Sequence, residues 1–463
     1  MKKVFKKALS VALACAFVFG TFSGCGNKQL TVDDLVIPTY EDNKSIRIGS
    51  SLPPNYTNRK MLEDYIEAGF TELEMTDDSG KMDQDNPDFL YGLELCEELG
   101  LNAALLMHRT VVAYEQTDEP TWWEDRFGNM DFRDYPALKG FWITDEPRWP
   151  QYDDMEDRHL TWFNENYGGE YFEWRVCLFG RNQPATIWEN TDIDYDAYAE
   201  RYLKILDKVD APNKELCIDF YTLRDDGKQK YMLPEDIMTN ADAAMRAEAR
   251  GINLALCIQS FGGSDWGGTY RYPSTFSEMS WSVYNALSYG ADALAYFGYC
   301  DWPSFNFKCM VTEGEPNELW YHVKKVNNDI KKFDHVFLNF KWEAILTNVG
   351  TGSRNSSNEA FEMAKVKDMV SNKLNGISAV NSKYDVFITE LSDGTNDGYW
   401  IMNYDDPVNA RDNKVQVTFE NADGLLYYRD GEPNVIVLGK DKVFELNVKA
   451  GEGVFVIPVY AKK

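Results

Sequence analysis

Two adjacent acids, Asp145 and Glu146, end a short apolar run, Gly140-Phe141-Trp142-Ile143-Thr144, and Pro147 follows at once. The run has strand character, and proline cannot donate the hydrogen bond that would carry a strand further. Carboxyls at such a strand end are costly to bury unless they are paired or used. Sugar cleavage uses such a pair: one protonated carboxyl gives its proton to the leaving oxygen, and one ionised carboxylate acts on the carbon or on a water. Glu146 is the candidate acid, its pKa raised by Asp145 and by burial. The best second carboxylate is Asp219, in the strand-like run 216–220. At about 5 Å from Glu146 it would be a nucleophile, and at about 6.5–9.5 Å a base acting through water. The sequence leaves both open, together with a third reading in which Asp219 holds Arg271 or a hydroxyl.

Elements that could position these groups are legible along the chain. Runs 46–50, 70–75, 101–107, 141–144, 172–178, 216–220, 252–258 and 293–297 read as strands. Amphipathic stretches 59–68, 88–99, 153–166, 197–209, 241–250, 277–289 and 318–332 read as helices. Gly69, Gly100, Gly251 and Gly290 stand between helix and strand, where a left-handed C-cap is expected. Strand-then-helix units repeated in this way predict a (β/α)8 TIM barrel. A doubly wound sheet would call for a phosphate loop such as GxGxxG after the first strand, and Gly49-Ser50-Ser51-Leu52-Pro53-Pro54 is not one. After Phe333 the chain turns to short alternating runs, 336–347, 384–391, 399–404, 414–419, 425–429, 443–448 and 454–459, split by turns such as Asp393-Gly394 and Asp430-Gly431. These predict an antiparallel β-sandwich, with 350–381 as a loop or partly helical insert. The expected division is a targeting segment 1–25, a polar mobile leash 26–44, a barrel 45–333 and a sandwich 334–463.

In a barrel the site lies at the C-terminal strand ends. Those ends carry Ser50-Ser51, Glu74, His108-Arg109, Asp145-Glu146, Asp219-Phe220-Tyr221, Gln259-Ser260-Phe261, and Tyr299 with Asp301-Trp302. The fourth strand resembles the Asn-Glu-Pro ending of retaining (β/α)8 glycoside hydrolases, the clan that includes β-galactosidases and cellulases. The resemblance implies that Glu146 is the general acid/base, with Asp145 in place of the usual Asn. Where the clan places a nucleophilic Glu on strand seven this chain has Gln259, and an amide is neither nucleophile nor base. A set of barrel proteins related to that clan is more similar still. The similarity rests on Asp145-Glu146-Pro147, Asp219-Phe220-Tyr221, Gln259-Ser260-Phe261, Arg271-Tyr272-Pro273-Ser274-Thr275, Gly290-Ala291 and Tyr296-Phe297-Gly298-Tyr299, and covers about 140–302.

The expected activity is cleavage of O-glycosidic bonds in a neutral oligo- or polysaccharide, with Glu146 and Asp219 catalytic and no cofactor or metal. Asp145, Glu74, His108, Arg109, Tyr221, Gln259, Trp266, Arg271, Tyr299, Asp301 and Trp302 are the expected substrate contacts. Trp122, Trp123, Trp149, Trp266, Tyr299 and Trp302 are candidate sugar platforms. The stretch 262–268 is expected to be a flexible glycine loop, and Glu278 a helix-terminal charge. Two other readings remain. In substrate-assisted N-acetylhexosaminidases an Asp steers the substrate's own acetamido group, the adjacent Glu is the acid and a Tyr stabilises the intermediate, roles open to Asp145, Glu146 and Tyr221 without any enzyme nucleophile. Alternatively, Gln259 marks a decayed enzyme that only binds glycans.

Composition bounds the partners. Seventy-five acidic against 47 basic residues give a formal charge of −28, which repels phosphate backbones and anionic lipid. The first residues have the form of a bacterial lipoprotein signal: Lys2-Lys3 and Lys6-Lys7, an apolar stretch 8–21, and Phe22-Ser23-Gly24-Cys25 resembling a lipobox. Lipidation at Cys25 would tether the protein to the outer face of the membrane at the cell surface. Of the remaining cysteines, Cys177, Cys217 and Cys257 lie in apolar strand-like runs and read as small buried hydrophobes. No CxxC spacing occurs and the four histidines are scattered, so a structural zinc is not expected.

Overall fold

The computed structural model describes residues 30–76, 82–107, 127–128, 130–181, 193–224, 233–265, 268–302, 306–353, 355–405 and 407–463. The targeting segment with Cys25, and His108, Arg109, Trp122, Trp123 and Trp266, lie outside the described residues. Eight parallel strands form one sheet: β1 Arg47–Ser50, β2 Glu72–Met75, β3 Asn102–Leu106, β4 Leu138–Asp145, β5 Glu173–Phe179, β6 Glu215–Asp219, β7 Asn253–Gln259 and β8 Ala293–Phe297. Their order is β1-β8-β7-β6-β5-β4-β3-β2, and all eight expected runs are strands of this sheet. Thr71 joins its two edges: its N–H donates to the Ile48 carbonyl at 2.9 Å, and the Ile48 N–H donates to its hydroxyl at 2.8 Å. The sheet is thereby a nearly closed TIM barrel. Helices α1 Arg59–Glu67, α2 Pro87–Leu99, α3 Thr161–Tyr167, α4 Tyr195–Lys208, α5 Leu233–Arg250, α6 Phe276–Ser288 and α7 Glu318–Ile330 surround it. The four glycines between helix and strand all have positive φ, 62° to 89°.

Alternate residues of each strand face the barrel interior, and the lowest layer is charged. Arg175, on β5, donates to Glu72 at 2.9 Å and to Glu173 at 2.6 Å, and its side chain is fully buried. Arg47, on β1, pairs with Glu72 and Glu215. Burying this many acids is possible because two guanidiniums supply opposite charge and donors in a fixed fork. The next layer up holds Cys177, Cys217, Trp142, Ala104, Ala255 and Ala293, with Cys257 and Leu106 at its margin. Glu74 also points inward here. A Cβ on Gly49 would sit 2.9 Å from its Oε1, so β1 needs a glycine at that point.

Beyond the barrel lie two antiparallel sheets. The strands are β9 Lys341–Asn348, β10 Ile377–Ser382, β11 Val386–Ser392, β12 Asp397–Asn403, β13 Asn413–Phe419, β14 Gly424–Arg429, β15 Glu432–Val437, β16 Val443–Val448 and β17 Gly453–Ala461. The larger sheet runs β9-β11-β12-β17-β14-β15 and the smaller β10-β13-β16. This is the expected sandwich with two strands more, β10 and β15. Their polar residues hid the alternation, and the insert expected across 350–381 gives a helix, α8 Asn355–Val366, followed by β10. The run beginning at 336 is not all strand, because Asp334–Phe337 is a helical turn before β9. The expected leash is also corrected. From residue 30 it lies on the sandwich, where Leu35–Val36 pairs antiparallel with Ala461 and Tyr460 of β17.

The larger sheet is apolar on both faces. Tyr399, Ile401, Val454 and Val456 face the smaller sheet, whereas Trp400, Met402, Phe455 and Ile457 join the barrel's hydrophobic core. Period-two alternation therefore serves two cores at once. A buried polar cluster pins the same interface. Asp236 on α5 accepts from Thr222 (2.8 Å), Asn240 (3.0 Å), Asn285 (3.0 Å) and the Tyr404 hydroxyl (2.9 Å) just beyond β12. Burial pushes the Asp236 carboxyl up to about 6, although these donors pull the other way.

Two stability experiments follow. Arg175→Met should destabilise the protein by about 3–5 kcal/mol in chemical denaturation, because Glu72 and Glu173 would lose their buried cation; a loss under about 1 kcal/mol would show that water reaches that layer. For Asp236 the folded value lies above the unfolded one, so its contribution is greatest below about pH 4 and falls as pH rises through about 6. Denaturation midpoints should record a decline on the order of 3 kcal/mol between pH 4 and pH 7 that Asp236→Asn abolishes.

Candidate functional site

Strand β4 presents its acids through a bulge. Its pairing with β5 slips between Trp142 and Thr144, so that Asp145 comes level with Cys177. A bulge re-aims the side chains that follow it, and here Trp142 and Asp145 both turn towards the barrel axis. The chain then bends at Glu146, whose φ is +45° and whose N–H donates to the Cys177 carbonyl at 2.8 Å. A non-glycine residue in this left-handed region costs roughly 1–3 kcal/mol, and such strain collects at working sites. On β6 the alternation Glu215, Cys217, Asp219 sends all three side chains inward, with Asp219 at the mouth.

The three acids meet there. The side chains of Glu146 and Asp219 are in hydrogen-bonding contact, and the Tyr221 phenol stands beside Asp219. Burial first, then the charges of Asp219 and Asp145, hold the Glu146 carboxyl well above the ordinary range. Burial and Asp145 push Asp219 up to about 8, against the pull of the neighbouring Tyr221 and Glu146. Asp145 rises to about 7, through burial and then Cys217. Among the described residues no cation is ion-paired with any of the three. Glu146 is the proton holder: its bond to Asp219 raises it and lowers its partner, so Glu146 donates and Asp219 accepts. The two carboxyls are in direct contact, closer than the gap that would hold a water between them.

An aromatic wall flanks the acids. Tyr221 meets Phe261 edge-on at 5.0 Å, and Phe261 meets Phe297 at 5.1 Å and Phe307 at 4.8 Å. Trp302 lies 6.2 Å from Phe297, half-buried at the rim. The stretch expected as a flexible glycine loop is ordered sheet: Gly262–Asp265 pairs with Gly268–Tyr270 and with Phe307–Lys308. Gly262 is required there, since a Cβ would fall 2.4 Å from the Tyr272 nitrogen. This hairpin brings in Tyr270, whose ring lies under the Arg224 guanidinium at 4.0 Å and whose phenol feels the charges of Asp219 and Glu146. Sequence reasoning missed Tyr270 and Arg224, because only the folding of the hairpin onto the segment after β6 joins them.

Several expected substrate contacts have other partners. Gln259 is buried; its amide donates to the Leu223 and Arg271 carbonyls, both at 3.0 Å, and accepts from the Leu223 N–H at 2.9 Å. It clamps the segments after β6 and β7 together and does not face the mouth. Arg271 turns to Glu278, at 2.6 Å, so it is not the partner of Asp219. Glu278 caps α6, accepting from the Thr275 N–H at 3.1 Å, as expected of a helix-terminal charge. Tyr299 is core, packed edge-on to Tyr65 at 4.9 Å and bonded by the Trp320 indole at 3.2 Å. Asp301 accepts from the Cys309 N–H at 2.6 Å and fixes the loop there. Trp149 is covered by Arg201, 4.4 Å from its ring. Glu74 lies below the mouth, 5% exposed and raised to about 8 by burial and by Glu72.

No protein-family model matches the chain, and no curated protein matches it in sequence. Solved structures do resemble it. A β-galactosidase of glycoside hydrolase family 42 superposes with a TM-score of 0.55 at 9% identity, over 92% of this chain and all of that one. A glycoside hydrolase family 5 protein from Bacteroides vulgatus ATCC 8482 gives 0.52 at 11% identity, over 92% and 94%. A third structure, described as a glycoside hydrolase, gives 0.50 at 12% identity, over 92% and 96%. At these identities the likeness is one of fold: the chain has the barrel-plus-sandwich architecture that these glycoside hydrolases have.

Proposed function

We propose that the protein is a glycoside hydrolase acting on a neutral oligo- or polysaccharide, with Glu146 as general acid and Asp219 as its partner carboxylate. The observation that carries this reading is the hydrogen bond from Glu146 to Asp219 at the mouth of the barrel. A protonated and an ionisable carboxyl side by side are what cleavage of a glycosidic bond requires. With Asp219 and Asp145 beside it, buried Glu146 holds its proton and can give it to a leaving oxygen. The missing strand-seven carboxylate is then no obstacle, because the second carboxylate comes from strand six.

Contact between the pair favours the double-displacement arrangement, with carboxyls about 5 Å apart, over one held open by about 6.5–9.5 Å for a water. Asp219 therefore acts as the nucleophile, with retention of configuration. The substrate-assisted reading is weaker, because a second carboxylate stands beside Glu146 to supply the nucleophile that such a mechanism does without. The aromatic wall of Tyr221, Phe261, Tyr270 and Trp302 supplies flat apolar faces for sugar rings, as the net negative charge suits an uncharged ligand. The tether at Cys25 places this activity at the outer face of a bacterial membrane.

Turnover of a panel of aryl glycosides and oligosaccharides should fall by about 10³-fold or more in both Glu146→Gln and Asp219→Asn, with sugar binding by calorimetry retained. Unchanged turnover in Glu146→Gln would remove it from the mechanism, and binding without turnover by the wild type across the panel would leave a glycan-binding protein. For the tether, expression in a bacterial host with labelled fatty acid should give a labelled, membrane-bound protein that Cys25→Ser converts to an unlabelled one. Label persisting in that variant would place the anchor elsewhere.

A further inference from the structure

Directly beneath the acids three cysteines converge. Cys177, Cys217 and Cys257 come from the neighbouring strands β5, β6 and β7, and their sulfurs all lie within 4.8 Å of one another. The Cys217–Cys177 separation is 3.2 Å and the Cys177–Cys257 separation 3.6 Å. They are the one group of three or more ligating side chains so gathered among the described residues. Cys177 and Cys217 are register partners across the β5–β6 ladder, and inward alternation on each strand aims the three thiols at a common point.

From this convergence we infer that Cys177, Cys217 and Cys257 form a binding site for a thiophilic d10 metal ion, with Zn²⁺ the expected occupant. Zinc–thiolate bonds are about 2.3 Å, which separates two sulfurs on a tetrahedral ion by about 3.8 Å. The separations of 3.2 and 3.6 Å fall a few tenths of an ångström short of that distance, so small rotations of the side chains open the site to an ion. Three thiolates leave a tetrahedral ion one open position, and soft sulfur donors select zinc or cuprous ion over magnesium or calcium. Binding expels the thiol protons, so the site is one of charged sulfur and not of apolar filling.

The surroundings support a ligand better than a plain core. Interior layers of such barrels are mostly built from bulky branched aliphatic residues, yet here the thiols share a layer with three alanines and Trp142, and the branched Leu106 stands only at its margin. Glu74, almost fully buried, points into the same interior with Oε1 lacking a hydrogen-bond partner. Cys257 is partly exposed, which gives an ion a path in from the mouth past Asp219. A disulfide is the competing outcome, and it would join two sulfurs and strand the third. An ion uses all three, and would tie together β5, β6 and β7, two of which carry Asp219 and Gln259.

The test uses the full chain, made metal-free and reduced, then titrated with Cd²⁺ and separately with Zn²⁺. Cd²⁺ should produce a near-ultraviolet thiolate charge-transfer band that saturates at one ion per chain. Cd²⁺ should likewise displace Zn²⁺ from the zinc-loaded protein, and loading either ion should release one proton for each thiol that was protonated. The band should be lost in Cys177→Ser and Cys217→Ser and persist in Cys96→Ser, whose thiol lies on α2 away from the barrel interior. Should the serine variants fail to fold, alkylation of the wild type decides: bound Cd²⁺ should slow modification of Cys177, Cys217 and Cys257 but not that of Cys300. Absence of the band with all three thiols reduced, or equal alkylation rates with and without Cd²⁺, would overturn the site. So would a mass two hydrogens short, mapped to a Cys177–Cys217 bond in protein isolated without oxidant.

Discussion

A carboxyl group drawn into the barrel must either meet a cation or keep its proton, and that constraint orders the whole interior. At the lower end Arg47 and Arg175 answer Glu72, Glu173 and Glu215 with opposite charge in a layer almost shut off from water. At the upper end no guanidinium is ion-paired with Asp145, Glu146 or Asp219 among the described residues, and burial pushes all three upward. One strand carries both solutions. Along β6, Glu215 is paired with Arg47, Cys217 sits in the thiol layer, and Asp219 takes a hydrogen bond from Glu146. The gradient from neutralised to proton-holding acids sets the lower end as scaffold and the upper end as chemistry.

The sandwich is part of the same scaffold. Its larger sheet is covered on one face by the smaller sheet and on the other by barrel helices, so β12 and β17 have no polar face. Phe333 after α7 stacks against Tyr428 at 5.1 Å, and Tyr404 reaches Asp236. An interface of this kind, apolar with a satisfied polar cluster in it, resembles a domain core more than a hinge. It holds α5 and α6, and hence the ends of β6 and β7, against a rigid partner.

Much of this was legible in the residues. Apolar runs broken by helix-then-glycine signals located all eight strands, because hydrophobic periodicity and a left-handed C-cap are local properties. The Asp145-Glu146-Pro147 ending marked the site for the same reason: a pair of acids beside apolar strand residues is anomalous wherever the chain goes. What escaped was mostly contact across the fold. Gln259, Arg271, Tyr299 and Asp301 all stand at strand ends, yet each bonds to a neighbouring segment in preference to the mouth. One local signal was present and unread: Glu72-x-Glu74, Arg175-x-Cys177 and Glu215-x-Cys217-x-Asp219 alternate polar residues on a single strand face. In a parallel barrel that pattern means a polar interior.

By itself the sequence determined the architecture and where a carboxyl pair ends a strand, since both follow from short-range pattern: strand and helix period, caps, and two acids beside apolar residues. Only the tertiary structure decided that Glu146 and Asp219 touch, that Tyr221 stands beside the second of them, and that three cysteines 40 residues apart share one point. The physical reason is the register of parallel strands. Residues from β4 to β7 become neighbours only when the sheet curls, and the bulge in β4 chooses which of its acids turns inward.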